Sequence, residues 1–327
     1  MKQLITDFTK HLKKSISIGS SSVFNTSQKE INKVVICGLG GSGIGGTISS
    51  LYLKDKIKVP IIVNKDYHIP SFVDENTLVI CSSYSGNTEE TLNMYQEAVQ
   101  KNAEIVMITS GGELAKLANE KKHNILKIEE GYPPRGAFGL TFPQLFFVLN
   151  KYNLIDNSFI SELEEAIQLI DAKEEAIRQE AEKVATQLFD KIPVIYSDSA
   201  MQGVSIRFRQ QINENAKMLC WHHEIPEMNH NELVGWRSMN NNLAVVFFRW
   251  GQEGKKNIQR IAYTKNIISK YTDTVLEVSI QNCSYLVSIL YLIHIGDWIS
   301  YFLAEKREVD VVEVDVITGL KNSLAGL

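Results

Sequence analysis

The chain has 327 residues, 44% of them hydrophobic and 22% charged, with a formal net charge of −4 at pH 7. Two domains are the natural expectation at that length, and a core of ordinary size can be buried. The mild acidity gives no reason to expect nucleic acid or an anionic membrane as partner, although local basic groups could hold a small anion.

The four cysteines, Cys37, Cys81, Cys220 and Cys283, form no CxxC pair, so no zinc knuckle is expected. Cys37 and Cys81 end two apolar runs where a small reduced thiol fits, which suits a reducing cytosol. The opening MKQLITDFTKHLKKSISIGSSS lacks an uninterrupted apolar region, so no signal peptide is expected. The stretch from Tyr285 to Leu303 is broken by His294, Gly296 and Asp297, and reads as a buried core helix, not a membrane span. The expected location is the cytoplasm.

In chain order, residues 1–32 read as a helix and a polar loop. KVVICG (Lys33 to Gly38) is a buried strand, GLGGSGIGG a glycine loop, and ISSLYLKDK a helix. VPIIVNKDY and TLVICSS are strands, SGNTEETLNMYQEAVQKNA an amphipathic helix, EIVMITSGG a strand, GELAKLANEKK a helix and HNILKIE a fifth strand. PPRGAFGLTFPQLFFVLNKYN is a loop and a closing helix, and residues 155–190 read as a connecting helix pair. A second alternation then begins. IPVIYSD, NLAVVFFRW and DTVLEVSI are strands, GVSIRFRQQINENAKML and KKNIQRIAYTKNIISKY are helices, and a long apolar helix and a polar helix close the chain. Strands alternating with helices predict parallel sheets covered on both faces. The expected organisation is 1–153, connecting helices over 154–190, and 191–327, the two halves repeating one topology.

Two loops carry phosphate chemistry. GLGGSGIGG (Gly38 to Gly46) lies between a strand and a helix, where glycines let backbone N–H groups approach an anion. Gly38, Gly40 and Gly43 also satisfy GxGxxG, which would equally suit a dinucleotide with Asp66 as the ribose acid. Ser42 inside the loop adds a donor and favours a phosphate monoester. SSYSGNTEET (Ser82 to Thr91) again follows an apolar strand and opens a helix. Ser83, Ser85 and Thr88 supply hydroxyls beside free helix N–H groups, more than a cap needs. Glu89 and Glu90 complement the helix dipole.

This pair of loops resembles the SIS (sugar isomerase) domain, and the doubled topology resembles proteins with two such domains in tandem. Residues 210–217 read QQINENAK and residues 226–232 PEMNHNE. Both are similar to motifs of the bifunctional phosphoglucose/phosphomannose isomerase family, a resemblance that covers nearly the whole chain. It implies two flavodoxin-like, three-layer αβα domains. It implies Glu214 as the base between carbons 1 and 2, His230 as an aid to ring opening, and Arg135 in PPRGA as the cation stabilising the enediolate. Lys321 in ITGLKNSL is implied in ring opening. Gly41, Ser42, Ser83, Ser85 and Thr88 are the implied phosphate contacts. It further implies a homodimer with the site near the subunit interface, where His230 reaches the neighbour's site.

The chemistry asks for such a set independently. Isomerisation through an enediol needs one base, a cation near the developing oxyanion, and an acid/base pair for ring opening, with no metal or other cofactor. The substrate expected is a hexose 6-phosphate: glucose 6-phosphate, with mannose 6-phosphate as its epimer, giving fructose 6-phosphate. One departure stands out. REVDVVEVDVITGL replaces the Pro/Thr-rich segment that many relatives carry before the last helix, which puts tolerance of the mannose epimer in doubt.

Other readings of the same residues stay open. Glu214 could pair with Lys217 or Arg207 on a solvated face. His230, Arg135 and Lys321 could be ordinary surface groups. His222, His223, Glu224 and His230 could suggest a metal, but adjacent histidines do not share a helix face and no HExxH is present. Trp221, Trp236 and Trp250 read as core or pocket wall. A non-catalytic sugar-phosphate-binding regulator and an NAD-dependent oxidoreductase are the competing functions.

Overall fold

The computed structural model describes residues 1–25 and 29–324. In chain order the first elements are α1 (Lys2–Thr6), α2 (Phe8–Ser21), β1 (Lys33–Cys37), α3 (Gly40–Tyr52), β2 (Ile61–Asn64), β3 (Thr77–Ser82), α4 (Glu89–Gln100), β4 (Glu104–Thr109), α5 (Gly112–Lys121), β5 (Asn124–Lys127) and α6 (Phe138–Lys151). After α7 (Ser158–Leu188) come β6 (Ile192–Asp198), α8 (Gln202–Ala216), β7 (Trp221–Ile225), β8 (Leu243–Arg249), α9 (Lys255–Ile268), β9 (Val275–Ser279), α10 (Tyr285–Lys306) and α11 (Asp315–Leu324). Short 3-10 turns occupy Pro134–Ala137, Ser199–Met201, Glu227–His230 and Glu232–Gly235.

Two compact units divide the chain. The N-terminal unit comprises Thr6–Lys173 and Cys283–Tyr291; the C-terminal unit comprises Met1–Ile5, Glu174–Asn282 and the chain from Leu292 onward.

In the N-terminal unit five parallel strands lie in the order β2-β1-β3-β4-β5. Runs such as VVIC and LVIC form central strands because both faces are covered, and Val34, Val35, Ile36, Leu78, Val79 and Ile80 are all fully buried. Val35, Val79, Ile105 and Met107 share one core cluster with Met94 and Tyr95 of α4 and Leu114 of α5. Cys37 and Cys81 are register partners on β1 and β3, and burial pushes both thiols up, that of Cys81 to about 12. The order is that of flavodoxin-like sheets, not the 3-2-1-4-5-6 of classical dinucleotide folds, so the topology does not favour the dinucleotide reading of GxGxxG.

The C-terminal unit has four parallel strands in the order β7-β6-β8-β9. It repeats the first four positions of the other sheet, as the sequence suggests. Val194, Tyr196, Val245 and Phe247 build its core with Ile261 and Ile268 of α9.

Two expectations need correction. Residues 155–190 do not form a helix pair. They hold α7, one helix of 31 residues. No glycine or proline interrupts it, and Phe159, Leu163, Ala166, Ile170, Ile177, Ala181, Val184 and Leu188 keep a buried stripe along its length. Second, WHHEI is strand β7, paired with β6 from Trp221↔Val194 to Ile225↔Asp198. It is an edge strand with only Ile225 fully buried, and Trp221 is exposed, not a core residue. The apolar helix α10 has an 18-residue window long and apolar enough to cross a membrane, 94% of it buried within the protein.

Candidate active site

The carboxyl ends of β1 and β3 mark the point where strand order reverses in the N-terminal sheet, the position at which open α/β sheets bind ligands. Both loops that the sequence marks as candidates for phosphate binding lie there. The loop after β3 is built around Ser83, which is buried, with its Oγ 2.8 Å from Thr88 Oγ1. Gly86 N–H donates to Ser83 Oγ at 3.2 Å, and Gly86 holds φ +70. A side chain there would also collide with the Gly111 carbonyl, so glycine is required. Thr88 is the N-cap of α4, yet its side chain caps nothing; its hydroxyl is turned to Ser83. The start of α4 thus has no side-chain cap from Thr88 and lies beside a pair of hydroxyls, a constellation suited to a phosphate monoester. Ser85 is exposed at the rim, where its Oγ accepts from Asn87 N–H at 3.3 Å.

The glycine loop differs from its sequence reading. α3 already begins at Gly40, and the N–H groups of Ser42 and Gly43 donate to the Leu39 carbonyl at 3.1 and 3.0 Å. Those two amides belong to the helix, not to a cradle. Close packing accounts for other glycines: a Cβ on Gly43 would lie 2.3 Å from the Gly38 carbonyl oxygen. A Cβ on Gly41 would lie 3.2 Å from the backbone of Pro134 and Arg135, so Gly41 lets the Arg135 turn come close. Ser42 is buried, and its Oγ accepts from Tyr84 N–H at 3.2 Å. Arg135 itself is 4% exposed. The structure thus groups Gly41, Ser42, Ser83, Thr88 and the Arg135 turn at the carboxyl end of β1 and β3.

In the C-terminal unit, α8 carries NENAK at its end. Arg207, Gln211 and Asn215 recur every fourth residue and face α10. Arg207 Nη2 donates to Asp297 Oδ2 at 2.7 Å, and Gln211 Nε2 to Asp297 Oδ1 at 2.9 Å. Asn215 Nδ2 donates to Ser300 Oγ at 2.9 Å, and Ser300 Oγ to the Asp297 carbonyl at 2.7 Å. All of these groups are buried. Lys217 ends the helix with φ 55, and its Nζ donates to the carbonyls of Glu214 (2.6 Å) and Glu313 (2.7 Å). Asn213 Nδ2 donates to the Met218 carbonyl at 2.7 Å. With its neighbours tied down, Glu214 lines a groove of about 360 Å³ together with Asn213, Lys217, Val314, Val316 and Ile317. Arg207 is therefore engaged with Asp297 in the interior, not on a solvated face. Lys321 lies on exposed α11, one turn beyond Ile317, and is not among the groove-lining residues; the lysine that lines the groove is Lys217.

NHNE is built alike. Asn229 Nδ2 donates to Thr264 Oγ1 at 2.8 Å, and Asn231 Nδ2 to Glu227 Oε1 at 2.9 Å. Glu232 Oε1 accepts from Tyr196 OH at 2.5 Å and from Trp221 Nε1 at 2.9 Å. His230 between them is exposed on the turn Glu227–His230.

Residues 29–142 match the model of the SIS domain, and residues 177–324 that of the bacterial phospho-glucose isomerase C-terminal SIS domain. Over 336 aligned residues the chain is 35% identical to the bifunctional phosphoglucose/phosphomannose isomerase of Caldicellulosiruptor bescii, covering 99% of each. The chain belongs to the bifunctional phosphoglucose/phosphomannose isomerase family. A relative of the same description from Aquifex aeolicus is 35% identical over 294 residues, 89% of this chain and 90% of that one. In fold, the C-terminal domain of glucosamine-fructose-6-phosphate aminotransferase from Francisella tularensis superimposes with a TM-score of 0.77 at 14% identity, over 96% of this chain and 98% of that one.

For a member of this isomerase family, the placement of the two motifs has a consequence. Glu214 stands where α8 leads into the amino end of β7, and His230 on the turn beyond the carboxyl end of that strand. The five residues of β7 alone span about 16 Å. The two groups lie at opposite ends of one sheet.

Proposed function

We propose that the protein interconverts glucose 6-phosphate, and more slowly mannose 6-phosphate, with fructose 6-phosphate. The phosphate is held by Ser42, Ser83, Ser85 and Thr88 and by backbone around Gly41, with the N-terminus of α4 adding positive potential. Glu214 removes the proton from carbon 2 of the aldose and returns it to carbon 1, so both epimers converge on one cis-enediol. Arg135 stabilises the charge that develops on the enediolate oxygens. His230 and Lys321 move protons in ring opening.

The observation that carries this reading is how the base is presented. Glu214 lines the groove of about 360 Å³ at the end of α8, beside Asn213 and Lys217, whose own side chains are held by the fold. The test is Glu214→Gln. Formation of fructose 6-phosphate from each epimer, measured side by side with EDTA present, should fall about a thousandfold. Binding of glucose 6-phosphate should persist. Normal turnover by the variant, or loss of wild-type activity in EDTA, defeats the proposal. The glucose epimer should be the faster one, given the acidic, valine-rich segment before α11.

We further propose a cytoplasmic homodimer in which His230 serves the partner's site. The separation of Glu214 and His230 along β7 supports this, because one copy of the sheet keeps them apart while a two-fold partner can bring its own turn to Glu214.

A further inference from the structure

Tyr84 fills the variable position of SxSGxT, so the motif gives it no role. The structure gives it several contacts. Its N–H donates to Ser42 Oγ at 3.2 Å, in the segment after β1. Its carbonyl accepts from Ser110 N–H (2.9 Å), Ser110 Oγ (2.7 Å) and Thr109 Oγ1 (3.3 Å), at the end of β4. Its hydroxyl donates to the Glu129 carbonyl at 3.0 Å and accepts from Tyr132 N–H at 2.9 Å, both in the segment after β5. That segment runs directly into Pro134 and Arg135. The ring is 7% exposed and packs on Ile128 and Ala137, which flank the same segment.

We propose that Tyr84 is a positioning residue that couples the phosphate cup to Arg135. Its backbone is part of the cup, since Ser83 precedes it and Ser42 is bonded to it. Its hydroxyl holds the chain three residues before Arg135 through two backbone groups, the Glu129 carbonyl and the Tyr132 N–H. Seating of a phosphate on Ser83 and Thr88 is thereby tied to where the Arg135 guanidinium stands. This rests on the isomerase reading for Arg135, but the coupling itself is a property of the loops.

Tyr84→Phe removes only the hydroxyl and keeps the ring. The turnover number should fall about tenfold to a hundredfold, because the cation is displaced from the developing oxyanion. The KM for glucose 6-phosphate and the inhibition constant for inorganic phosphate should stay within about twofold. Amide hydrogen exchange should quicken over residues 129–135 and stay unchanged over 82–91. If Tyr84 acts through Arg135, the double variant Tyr84→Phe/Arg135→Lys is no slower than Arg135→Lys alone. An unchanged turnover number overturns the proposal, as does a fall in phosphate affinity parallel to turnover, or multiplicative losses in the double variant. A wild-type protein inactive on hexose phosphates would sink the isomerase reading instead. The exchange experiment then still decides: faster exchange confined to 129–135 upholds the coupling, and unchanged exchange ends it.

Discussion

Arg207 and Asp297 form a buried ion pair, with side chains 3% and 10% exposed and Nη2 to Oδ2 at 2.7 Å. It sits two helical turns before Glu214 and fixes α8 on α10. Arg207→Met keeps an unbranched apolar stem and removes the guanidinium and its charge. Asp297 is then left with Gln211 as its side-chain donor, at 2.9 Å. Breaking a buried pair from one side costs about 3–5 kcal/mol, a large share of the 5–15 kcal/mol typical of a native protein. With a urea slope of about 2 kcal/mol/M, the midpoint should drop by about 2 M. The assay is selective, because all four tryptophans (Trp221, Trp236, Trp250 and Trp298) belong to the C-terminal unit, so their fluorescence follows the unfolding of that unit. Replacing both partners, Arg207→Met with Asp297→Leu, removes the stranded charge and should recover most of the loss. If the single variant shifts the midpoint by less than about 0.3 M, or the double variant is the worse of the two, the pair is not the strut argued here.

Two further expectations concern the C-terminal unit. If His230 serves the partner, mixing Glu214→Gln and His230→Ala chains after subunit exchange should restore about a quarter of wild-type sites, because each mixed dimer holds one site with neither lesion; no recovery would return His230 to its own chain. At Asp198, burial lifts the carboxyl above its usual range, and the nearby Glu253 charge adds to this against donation from Asn257 and the Ala200 N–H. The folded form then holds its proton to higher pH than the unfolded form, so this group's contribution is greatest below the unfolded pKa and is lost as pH rises through the folded one. Asp198→Asn should therefore melt above wild type at pH 7, with the gap closing toward pH 4; a constant gap, or a lower melt at pH 7, contradicts it.

The parts of the fold that the sequence makes legible are those where burial is one-sided or complete. KVVIC and TLVICS can only be central strands once both faces are covered, and they are. β7 is hidden because an edge strand needs no apolar run, and WHHEI carries a polar face suited to Glu232 and solvent. In α8 the stripe Arg207, Gln211, Asn215 was available as a signal. Polar groups four apart on a buried helix need partners, and Asp297 and Ser300 interrupt the one apolar helix that could supply them. What no pattern of residue types could reveal is the division of labour inside NENAK and NHNE. The outer asparagines are bonded to Met218, Ser300, Thr264 and Glu227, while Glu214 lines a groove and His230 is exposed. Composition treats all three positions as polar surface; only the family resemblance singles out Glu214 and His230. Tyr84 escaped for the opposite reason, since a variable position carries no motif weight while its hydroxyl bonds lie 45 and 48 residues downstream.

The two units repeat one strand order but not one chemistry at the switch point. In the N-terminal unit the reversal between β1 and β3 is lined by hydroxyls, and Thr88 leaves its helix uncapped. In the C-terminal unit the equivalent reversal falls between β6 and β8, and there Asp198 Oδ1 accepts from Ala200 N–H at 2.9 Å, capping the turn that opens into α8. Glu253, also buried, accepts from Arg249 Nε at 2.7 Å and Trp250 N–H at 3.1 Å. Carboxylates there already hold backbone donors of that end, and Arg249 is paired with Glu253. The buried carboxyls of Asp198 and Glu253 disfavour an anion at that point. Duplicated topology thus carries different side-chain chemistry at its two switch points. The groups proposed for chemistry on the second sheet lie elsewhere on its frame, Glu214 at the end of a helix and His230 beyond an edge strand.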